Sequence, residues 1–327
     1  MRRAAIASAI FVLALAAGFV LWAEAQFSAQ GPPARHGHQS IVLIRPGTGG
    51  SGIARALKAA GVIRNATLFE LEVRLKGEAA ELKAGEYAIP SKASMAKIAA
   101  ILIAGKVVEH KLTIPEGFTS QMAFNVVKAN KVLLGKAGRV PPEGSLLPDT
   151  YLFTRGTTRA QLFARMHAAQ LRFLARAWAR RSPGLPLKTA EQAVILASIV
   201  EKETALPLER RHVAAVFENR LHLGMKLQSD PTIIYGITKG YPLGHPILES
   251  ELSAATPYNT YVIDGLPPTP ICNPGRASIL AVLHPLKSKD LYFVADGKGG
   301  HVFAATIAQQ DKNVARWRQI EKVQKHR

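Results

Sequence analysis

The amino-acid sequence predicts an α+β protein with an N-terminal transmembrane helix, a small strand–helix–helix–strand module and a larger α+β domain. An uncharged apolar run opens the chain, two short apolar strand patterns then enclose two helical segments, and the remainder combines long helical patterns with few strands. We expect residues 1–25 to form a membrane anchor, 26–39 a linker, 40–108 the small module and 109–327 the larger domain.

The anchor is predicted from Ala4–Trp22, which contains no charged residue and is long enough to cross the apolar core of a bilayer. Arg2 and Arg3 precede this run and favour a cytoplasmic N-terminus, with the remaining chain exported. A cleaved signal peptide is the alternative, because Ala23–Ala25 fits a small-residue cleavage pattern. The anchor is favoured, since the apolar run exceeds the roughly 7–15 residues of a signal core.

The overall charge and the cysteine content narrow the possible partners. The chain has 42 Lys and Arg residues against 23 Asp and Glu residues, for a formal net charge of +19. This charge favours polyanionic partners. Because the chain is expected to be exported, nucleic acid is a poor partner, and the polyanions that fit are anionic lipid head groups and peptidoglycan carboxylates. Alternatively, the excess of lysine and arginine serves only solubility. The single cysteine, Cys272, excludes an intrachain disulfide and a cysteine-based zinc site.

The linker and the small module are predicted from turn residues and hydrophobic periodicity. Gln26–Gln39 is polar and contains prolines and glycines, which is typical of a linker. The following elements are a strand at Ile41–Ile44, a helix at Ser51–Ala60, a second helix from Thr67 and a strand at Ala84–Ile89. This order resembles a divergent LysM-type module, which implies binding to glycans.

The rest of the chain is mainly helical. Helical periodicity covers Ser94–Ala104 and Thr158–Arg181, and a further helix is expected to begin near Thr119. Val107–Ile114 fits a strand, and Leu291–Thr306 fits a hairpin around a glycine-rich turn, before a last amphipathic helix. Arginines lie opposite the apolar face of the Thr158–Arg181 helix, and a solvated face is favoured over a lipid or glycan contact.

One helix combines an apolar body with two carboxylates at its end. Thr189 and Gln192 form a capping-box pattern that predicts a helix over Ala190–Thr204, with a body that is apolar on nearly every side. Glu201 and Glu203 lie in its last turn, where partial burial and the helix dipole make a carboxyl easier to protonate. A protonated carboxyl can act as a general acid, for example on a glycosidic bond.

Other interpretations stay open from spacing alone. Either glutamate could form a structural ion pair with Arg210, Arg211 or Arg220. Ser198 and Lys202 have the spacing of a serine–lysine pair but better fit a small core residue and a solvent lysine. His301 could fix a hairpin or border a groove, and Gly47–Ser51 lacks the lysine of a phosphate-binding loop. We expect neither a metal nor a cofactor.

Several motifs of the larger domain closely resemble the YceG-like family of endolytic murein transglycosylases. They are Glu143–Tyr151 (EGSLLPDTY), Ile195–Thr204 (ILASIVEKET), Val216–Leu221 (VFENRL), Leu227–Tyr235 (LQSDPTIIY), Pro257–Tyr261 (PYNTY), Gly265–Pro268 (GLPP), Asn273–Gly275 (NPG) and Tyr292–Gly297 (YFVADG). The single anchor and the small module also match the layout of this family. Thr269 departs from the family pattern, where a glycine is expected after the two prolines.

The resemblance implies a lytic transglycosylase that cleaves the β-1,4 bond between N-acetylmuramic acid and N-acetylglucosamine inside peptidoglycan strands and leaves 1,6-anhydro ends. It implies that Glu201 is the catalytic acid and base, with Glu203 as the second choice. It also implies a single-pass protein of the cytoplasmic (inner) membrane whose catalytic domain faces the periplasm and ends the elongation of nascent strands. The implied partners are peptidoglycan strands, the membrane and peptidoglycan synthases, without nucleic acid.

One carboxyl is enough for this reaction, whereas a hydrolase usually needs two. We expect Glu201 to protonate the leaving oxygen and then to accept the proton of the C6 hydroxyl as that oxygen attacks C1. The candidates for orienting the sugar are Gln228, Tyr235, Tyr258 and Asn259. Each could instead be a hydrogen-bond partner within a loop or a core aromatic residue. Asp230 is expected to cap a helix.

A non-enzymatic function is the alternative. The chain would then be an anchored glycan-binding scaffold for wall-synthesis proteins, using the small module alone. A Glu201→Gln variant that keeps the full cellular effect would favour the scaffold.

Overall fold

The computed structural model describes residues 2–325, and the side chains of residues 6–323 within them. The chain folds into two compact units. The first unit extends to Lys111 and also includes Leu152–Thr157, and the second unit consists of Leu112–Tyr151 and the chain from Thr158 onward. The Leu152–Thr157 segment belongs to the first unit since its Arg155 binds Glu86 there, at 3.0 Å.

Helix α1 (Arg2–Ser28) is exposed over most of its length and is long and apolar enough to cross a membrane. Arg2 and Arg3, which predict the orientation, have side chains outside the described residues. The helix continues through the possible cleavage pattern and beyond residue 25 into the expected linker. It does so because Ala23 and Phe27 pack into the core of the first unit.

The remainder of the first unit follows the strand–helix–helix–strand order. Its elements are β1 (Gln39–Ile44), α2 (Gly50–Ala59), α3 (Ala66–Leu75) and β2 (Gly85–Pro90), followed by α4 (Met95–Ala104). β1 and β2 pair antiparallel. The core contains the fully buried side chains of Leu57, Phe69, Tyr87, Ile98 and Leu102.

β3 (Glu109–Thr113) and β4 (Thr150–Thr154) form a second two-stranded sheet, and the division between the units falls within both strands. Helix α5 (Ser120–Ala129) follows β3 in the sequence. It begins where the sequence predicts, because the Thr119 hydroxyl accepts a hydrogen bond from the N–H of Met122 at 3.3 Å.

The second unit is mostly helical. After α5, its helices are α6 (Arg159–Ala179), α7 (Ala190–Glu203), α8 (Arg210–His222), α9 (Asp230–Thr238), α10 (Glu249–Leu252), α11 (Arg276–Leu283) and α12 (Ile307–Lys325). β5 (Tyr292–Ala295) and β6 (His301–Ala304) form the antiparallel hairpin that the glycine-rich turn predicts. The arginines predicted to form one face of α6 are exposed there.

Helix α7 lies in the core of the second unit. Leu196–Val200 is fully buried, and the helix packs against α6, α8, α9 and α11, which explains its apolar composition on nearly every side. The Thr189 hydroxyl accepts a hydrogen bond from the N–H of Gln192 at 3.3 Å. The Gln192 side chain instead accepts from the N–H of Lys188, at 2.7 Å, so only half of the expected capping box forms.

The expectation that Asp230 caps a helix is wrong by one residue. α9 begins at Asp230, and Ser229 occupies the N-cap position with an extended backbone. The Asp230 carboxylate accepts a hydrogen bond from the Tyr261 hydroxyl at 2.6 Å and makes no cap. Ser198 is the small core residue expected, because its buried hydroxyl donates to the carbonyl of Ile195 at 2.7 Å.

Candidate active site

The last turn of α7 places Glu201 beside the start of α11. Glu201 is partly exposed, since the buried body of the helix ends at Val200. Its Oε2 atom accepts a hydrogen bond from the backbone N–H of Gly275 at 2.9 Å. Because Gly275 is the N-cap of α11, the carboxylate faces the positive end of that helix dipole.

A second carboxyl, that of Glu116, lies against the same glycine. A Cβ atom on Gly275 would lie 1.9 Å from Oε1 of Glu116, so any other residue here would displace this carboxyl from its position. Partial burial and then the charge of Glu201 raise the pKa of Glu116, whereas Arg210 and Arg276 act to lower it. Two carboxyls therefore lie close together at the start of α11. Glu116 is not among the site residues predicted from the sequence. The one feature of the sequence that could have indicated it is the glycine that follows it directly, which marks a turn after β3.

One buried side chain joins the loops that carry these groups. The Nδ2 of Asn273 donates to the carbonyl of Phe118 at 3.0 Å, and its Oδ1 accepts from the N–H of Leu146 at 3.0 Å. The N–H of Gly117 donates to the carbonyl of Asn273 at 3.1 Å. Gly117 has a φ of +77°, so the chain turns sharply directly after the second carboxyl. These bonds hold together the two loops beside the end of α7.

Tyr235 and Tyr258 form an aromatic pair with ring centroids 4.9 Å apart, and Lys239 Nζ lies 5.4 and 5.0 Å from the two rings. The buried Tyr235 donates its hydroxyl hydrogen bond to Oε2 of Glu143 at 3.1 Å, and burial raises the pKa of both groups. The hydroxyl of Tyr258 hydrogen-bonds Thr269 Oγ1 at 2.8 Å, so the residue that departs from the expected glycine engages this tyrosine. Tyr258, which is partly exposed, is the ring of this pair that a ligand can reach.

Glu203 has different surroundings, two residues further along α7. It accepts a hydrogen bond from the Ser229 hydroxyl, which opposes protonation, but burial raises the pKa of Glu203 to about 7 and the charge of Asp230 adds to this effect. With Arg220 it lines a cleft of about 320 Å³. Among the described side chains, the ion pairs of arginine involve neither Glu203 nor Glu201, so the structural ion-pair interpretation is not supported.

Comparison with known proteins places this geometry in a family. The model of the YceG-like family matches residues 42–316. The chain belongs to the YceG-like family. The endolytic murein transglycosylase of Bacillus subtilis is 28% identical over 302 residues, which cover 83% of this chain and 82% of that protein. The protein of the same name from Streptococcus pneumoniae is 30% identical over 323 residues, with 84% of this chain aligned to 57% of the streptococcal protein.

A solved structure supports the same assignment. The crystal structure of a yceG-like protein from Listeria monocytogenes has 30% sequence identity and a TM-score of 0.51, and the match covers 85% of this chain and 99% of that chain. The mixed α+β architecture is therefore a YceG-like fold.

In this YceG-like chain, Gln228 lies apart from the two tyrosines. Its exposed side chain lines the cleft of Glu203, and its Oε1 accepts a hydrogen bond from Nη1 of Arg220 at 3.3 Å. Gln228 has a φ of +50°, which is uncommon for a residue other than glycine. Such backbone strain occurs often at functional sites, which makes Gln228 a candidate for contact with a ligand.

The amide of Asn259, a predicted sugar contact, is bonded within its own loop. The residue is fully buried, and its Nδ2 donates to three backbone carbonyls, those of Glu251, Leu252 and Ala254, at 3.2, 3.0 and 2.8 Å. Its Oδ1 accepts from the N–H of Tyr261 at 3.0 Å. These bonds occupy the whole side-chain amide, so Asn259 holds a loop.

His301 fixes the β5–β6 hairpin. Its backbone N–H donates to Oε1 of Glu209 at 2.9 Å, and its Nδ1 lies 2.7 Å from Oε2 of the same carboxylate. Within residues 2–325, no group of three or more His, Cys, Asp and Glu side chains could hold a metal ion.

Proposed function

We propose that this chain is an endolytic lytic transglycosylase that cleaves the β-1,4 bond between N-acetylmuramic acid and N-acetylglucosamine within peptidoglycan strands and leaves 1,6-anhydro ends. Relatives named for murein transglycosylase activity align with more than four fifths of the chain. The observation that carries the proposal is the position of Glu201, which is partly exposed at the end of α7 and held by the N–H of Gly275.

Glu201 acts first as an acid and then as a base. Its protonated carboxyl transfers a proton to O4 of N-acetylglucosamine while the bond from O4 to C1 of N-acetylmuramic acid breaks. The carboxylate then accepts the proton of the C6 hydroxyl as O6 forms a bond to C1, which restores Glu201 and consumes no water. The N–H of Gly275 and the start of α11 stabilise the carboxylate between the two half-reactions.

The sugar is oriented by residues with exposed atoms. Tyr258 offers a partly exposed ring, and Gln228 offers an exposed amide in the cleft of Glu203. Tyr235 is a positioning residue, because its ring packs on Tyr258 and its hydroxyl is bound to Glu143.

The position of Glu116 favours a second candidate, a glycosidase that hydrolyses the same bond. A second carboxyl near the acid can activate water or attack C1. Glu116 is exposed, and its pKa responds to the charge of Glu201. The lyase is preferred because the relatives carry the name of a transglycosylase.

The first unit supports this function at the membrane. α1 holds the chain in the cytoplasmic (inner) membrane as a single-pass protein, with the second unit in the periplasm. The βααβ module from β1 to β2 is LysM-like and binds glycan strands. Cleavage then ends the elongation of strands that peptidoglycan synthases produce nearby.

The test is to digest peptidoglycan with the full chain in detergent, in water enriched in ¹⁸O, and to identify the new ends by mass spectrometry. The lyase predicts anhydro ends without ¹⁸O, and these ends should be absent with Glu201→Gln. Reducing ends that contain ¹⁸O would establish the hydrolase instead. A correctly folded wild type that produces neither would contradict both enzymes.

A further inference from the structure

The apolar surface of α1 ends directly where the first unit begins. Large side chains from Ile6 to Trp22 are exposed, whereas Ala23 and Phe27 are buried in the core of the first unit. One helical turn rises about 5.4 Å. The first unit therefore starts within about one turn of the point where the apolar, membrane-spanning segment ends.

The connection between α1 and the first unit is braced by several contacts. The rings of Phe27 and Phe69 lie 6.2 Å apart, and Nζ of Lys76 lies 4.7 Å from the Phe27 ring and 3.3 Å from the carboxylate of Glu24. The N–H of Gly31 donates to the carbonyl of Lys92 at 3.3 Å. These contacts bind the segment expected to be a linker to the module, so α1 fixes the orientation of the module.

The contacts of α1 also identify the side of α3 that faces the membrane. Phe27, near the end of α1, packs on Phe69, whereas Trp22, nearer the membrane, lines a cavity with Leu68. At about 100° per residue, Leu75 lies next to Leu68 on the side away from Phe69. Because Leu68 lines a cavity with the part of α1 nearer the membrane, and Phe69 packs on the part farther from it, the side of α3 that carries Leu68 faces the membrane. Leu75 lies on that same side.

This side of α3 has the composition of a surface that contacts lipid. Leu75 is 70% exposed, and the other exposed large hydrophobic residues of the first unit outside α1 are Ile41 and Leu43 on β1 and Leu152 on β4. Arg74 and Lys76 lie at the C-terminal end of α3, where Arg74 pairs with Glu70 and Lys76 with Glu24 of α1. Arg64, before α3, donates to the carbonyl of Gln30, past the end of α1. Exposed apolar side chains with basic residues beside them are typical of helices that lie in a membrane interface.

We propose that the C-terminal end of α3 lies at the membrane surface from which α1 emerges, with Leu75 inserted among the lipid head groups beside Lys76, which Glu24 of α1 holds at 3.3 Å. The partner is an anionic phospholipid bilayer. This inference rests on the proposed role of α1 as a membrane anchor. If α3 contacts lipid in this way, the module is held at the membrane surface in one orientation and does not move freely on a linker.

The test uses the full chain in vesicles of phosphatidylcholine and phosphatidylglycerol that carry a nitroxide high on the acyl chain to report on positions 75 and 41, or near the end of the acyl chain to report on position 13 at the centre of the bilayer. A fluorophore is attached at Leu75→Cys, at Ile41→Cys as a matched exposed position on β1, and at Leu13→Cys inside the anchor. The native Cys272 is buried and should not react. We expect strong quenching at positions 13 and 75 and several-fold weaker quenching at 41.

Quenching at 13 but equal, weak quenching at 75 and 41 would overturn the contact of α3 and leave the anchor intact. Absence of quenching at 13 would overturn the anchor and with it the inference. A Leu75→Asp variant labelled at the neighbouring, exposed Arg74→Cys gives an independent measurement, because the inference predicts that the added charge reduces quenching at 74.

Discussion

Glu201 and Glu203 lie two residues apart at the end of α7, in different surroundings. Glu201 receives a backbone hydrogen bond from Gly275 at the start of α11. Glu203 accepts a hydrogen bond from the Ser229 hydroxyl and lines a cleft, and burial of its carboxyl raises its pKa to about 7. Both side chains are partly exposed, so their polar partners and not their exposure distinguish the two carboxyls.

The comparison also separates two groups of supporting residues. Gly275 and Glu116 lie beside Glu201, whereas Ser229 and Gln228 lie beside Glu203. We therefore expect changes on the Glu201 side to affect turnover, and changes on the Glu203 side to affect stability and its dependence on pH.

Among changes to the residues around the two glutamates, the largest effect is expected for Gly275→Ala. The new methyl group would displace the carboxyl of Glu116, whose Oε1 lies 1.9 Å from the Cβ position, and would disturb the bond to Glu201. Alanine keeps the backbone N–H, so a shift of this donor away from Glu201 predicts a decrease in kcat of up to about 100-fold. The control is Glu116→Ala, which removes the collision, so adding Gly275→Ala to that variant should cost much less. Independent, multiplicative losses in kcat would refute this explanation.

Asn259→Ala tests whether the loop that carries Asn259 supports the residues around Glu203. Asn259 holds the loop in which Thr260 accepts hydrogen bonds from the backbones of Gln228 and Ser229. Removal of several buried hydrogen bonds should lower the free energy of unfolding by about 2–4 kcal/mol, measured by denaturant titration. An unchanged stability with a raised KM would instead identify Asn259 as a sugar contact.

Glu203 should make stability depend on pH. Its pKa is raised from 4.5 to about 7 in the folded state, so the folded chain binds more protons between these values and its stability falls as pH rises through this window. We expect Glu203→Gln to remove a decrease on the order of 2 kcal/mol between pH 4.5 and 7.5. Parallel stability curves for the variant and the wild type would show that Glu203 does not titrate in this range.

The smallest effect is expected for Gln228→Gly. Glycine adopts a φ of +50° without strain, so the variant should keep or gain up to about 1 kcal/mol of stability. If Gln228 contacts the sugar, the same variant should raise KM several-fold while kcat changes little. A stable variant with an unchanged KM would remove Gln228 from the binding site.

Periodicity and capping residues predict much of the fold. Thr119, Thr158 and Thr189 each cap the helix expected after them, and the glycine-rich turn predicts the β5–β6 hairpin. The start of the expected linker is helical, since α1 continues to Ser28 and Phe27 packs on Phe69. Contacts with residues distant in the sequence, such as Gly31 with Lys92, are not revealed by local composition.

The site could be predicted only in part. Glu201 and Glu203 stand out because charge interrupts an apolar helix, but spacing does not separate their environments, which depend on Gly275 and Ser229 more than twenty residues away. Glu116 escapes prediction because its proximity to Glu201 depends on the positions of two loops. Asn259 stays a prediction, although its amide is bonded to backbone groups of its own loop, because a polar residue in a motif can serve the loop as well as the ligand.

The most direct test of the account compares Glu201→Gln with Glu203→Gln. The same peptidoglycan is digested with each variant of the full chain, and the rate of formation of anhydro ends is measured by mass spectrometry. Circular dichroism verifies that both variants are folded. We expect Glu201→Gln to lower the rate by about 10³-fold or more and Glu203→Gln by less than about tenfold. The reverse order would identify Glu203 as the acid and contradict the proposed role of the Glu201 site.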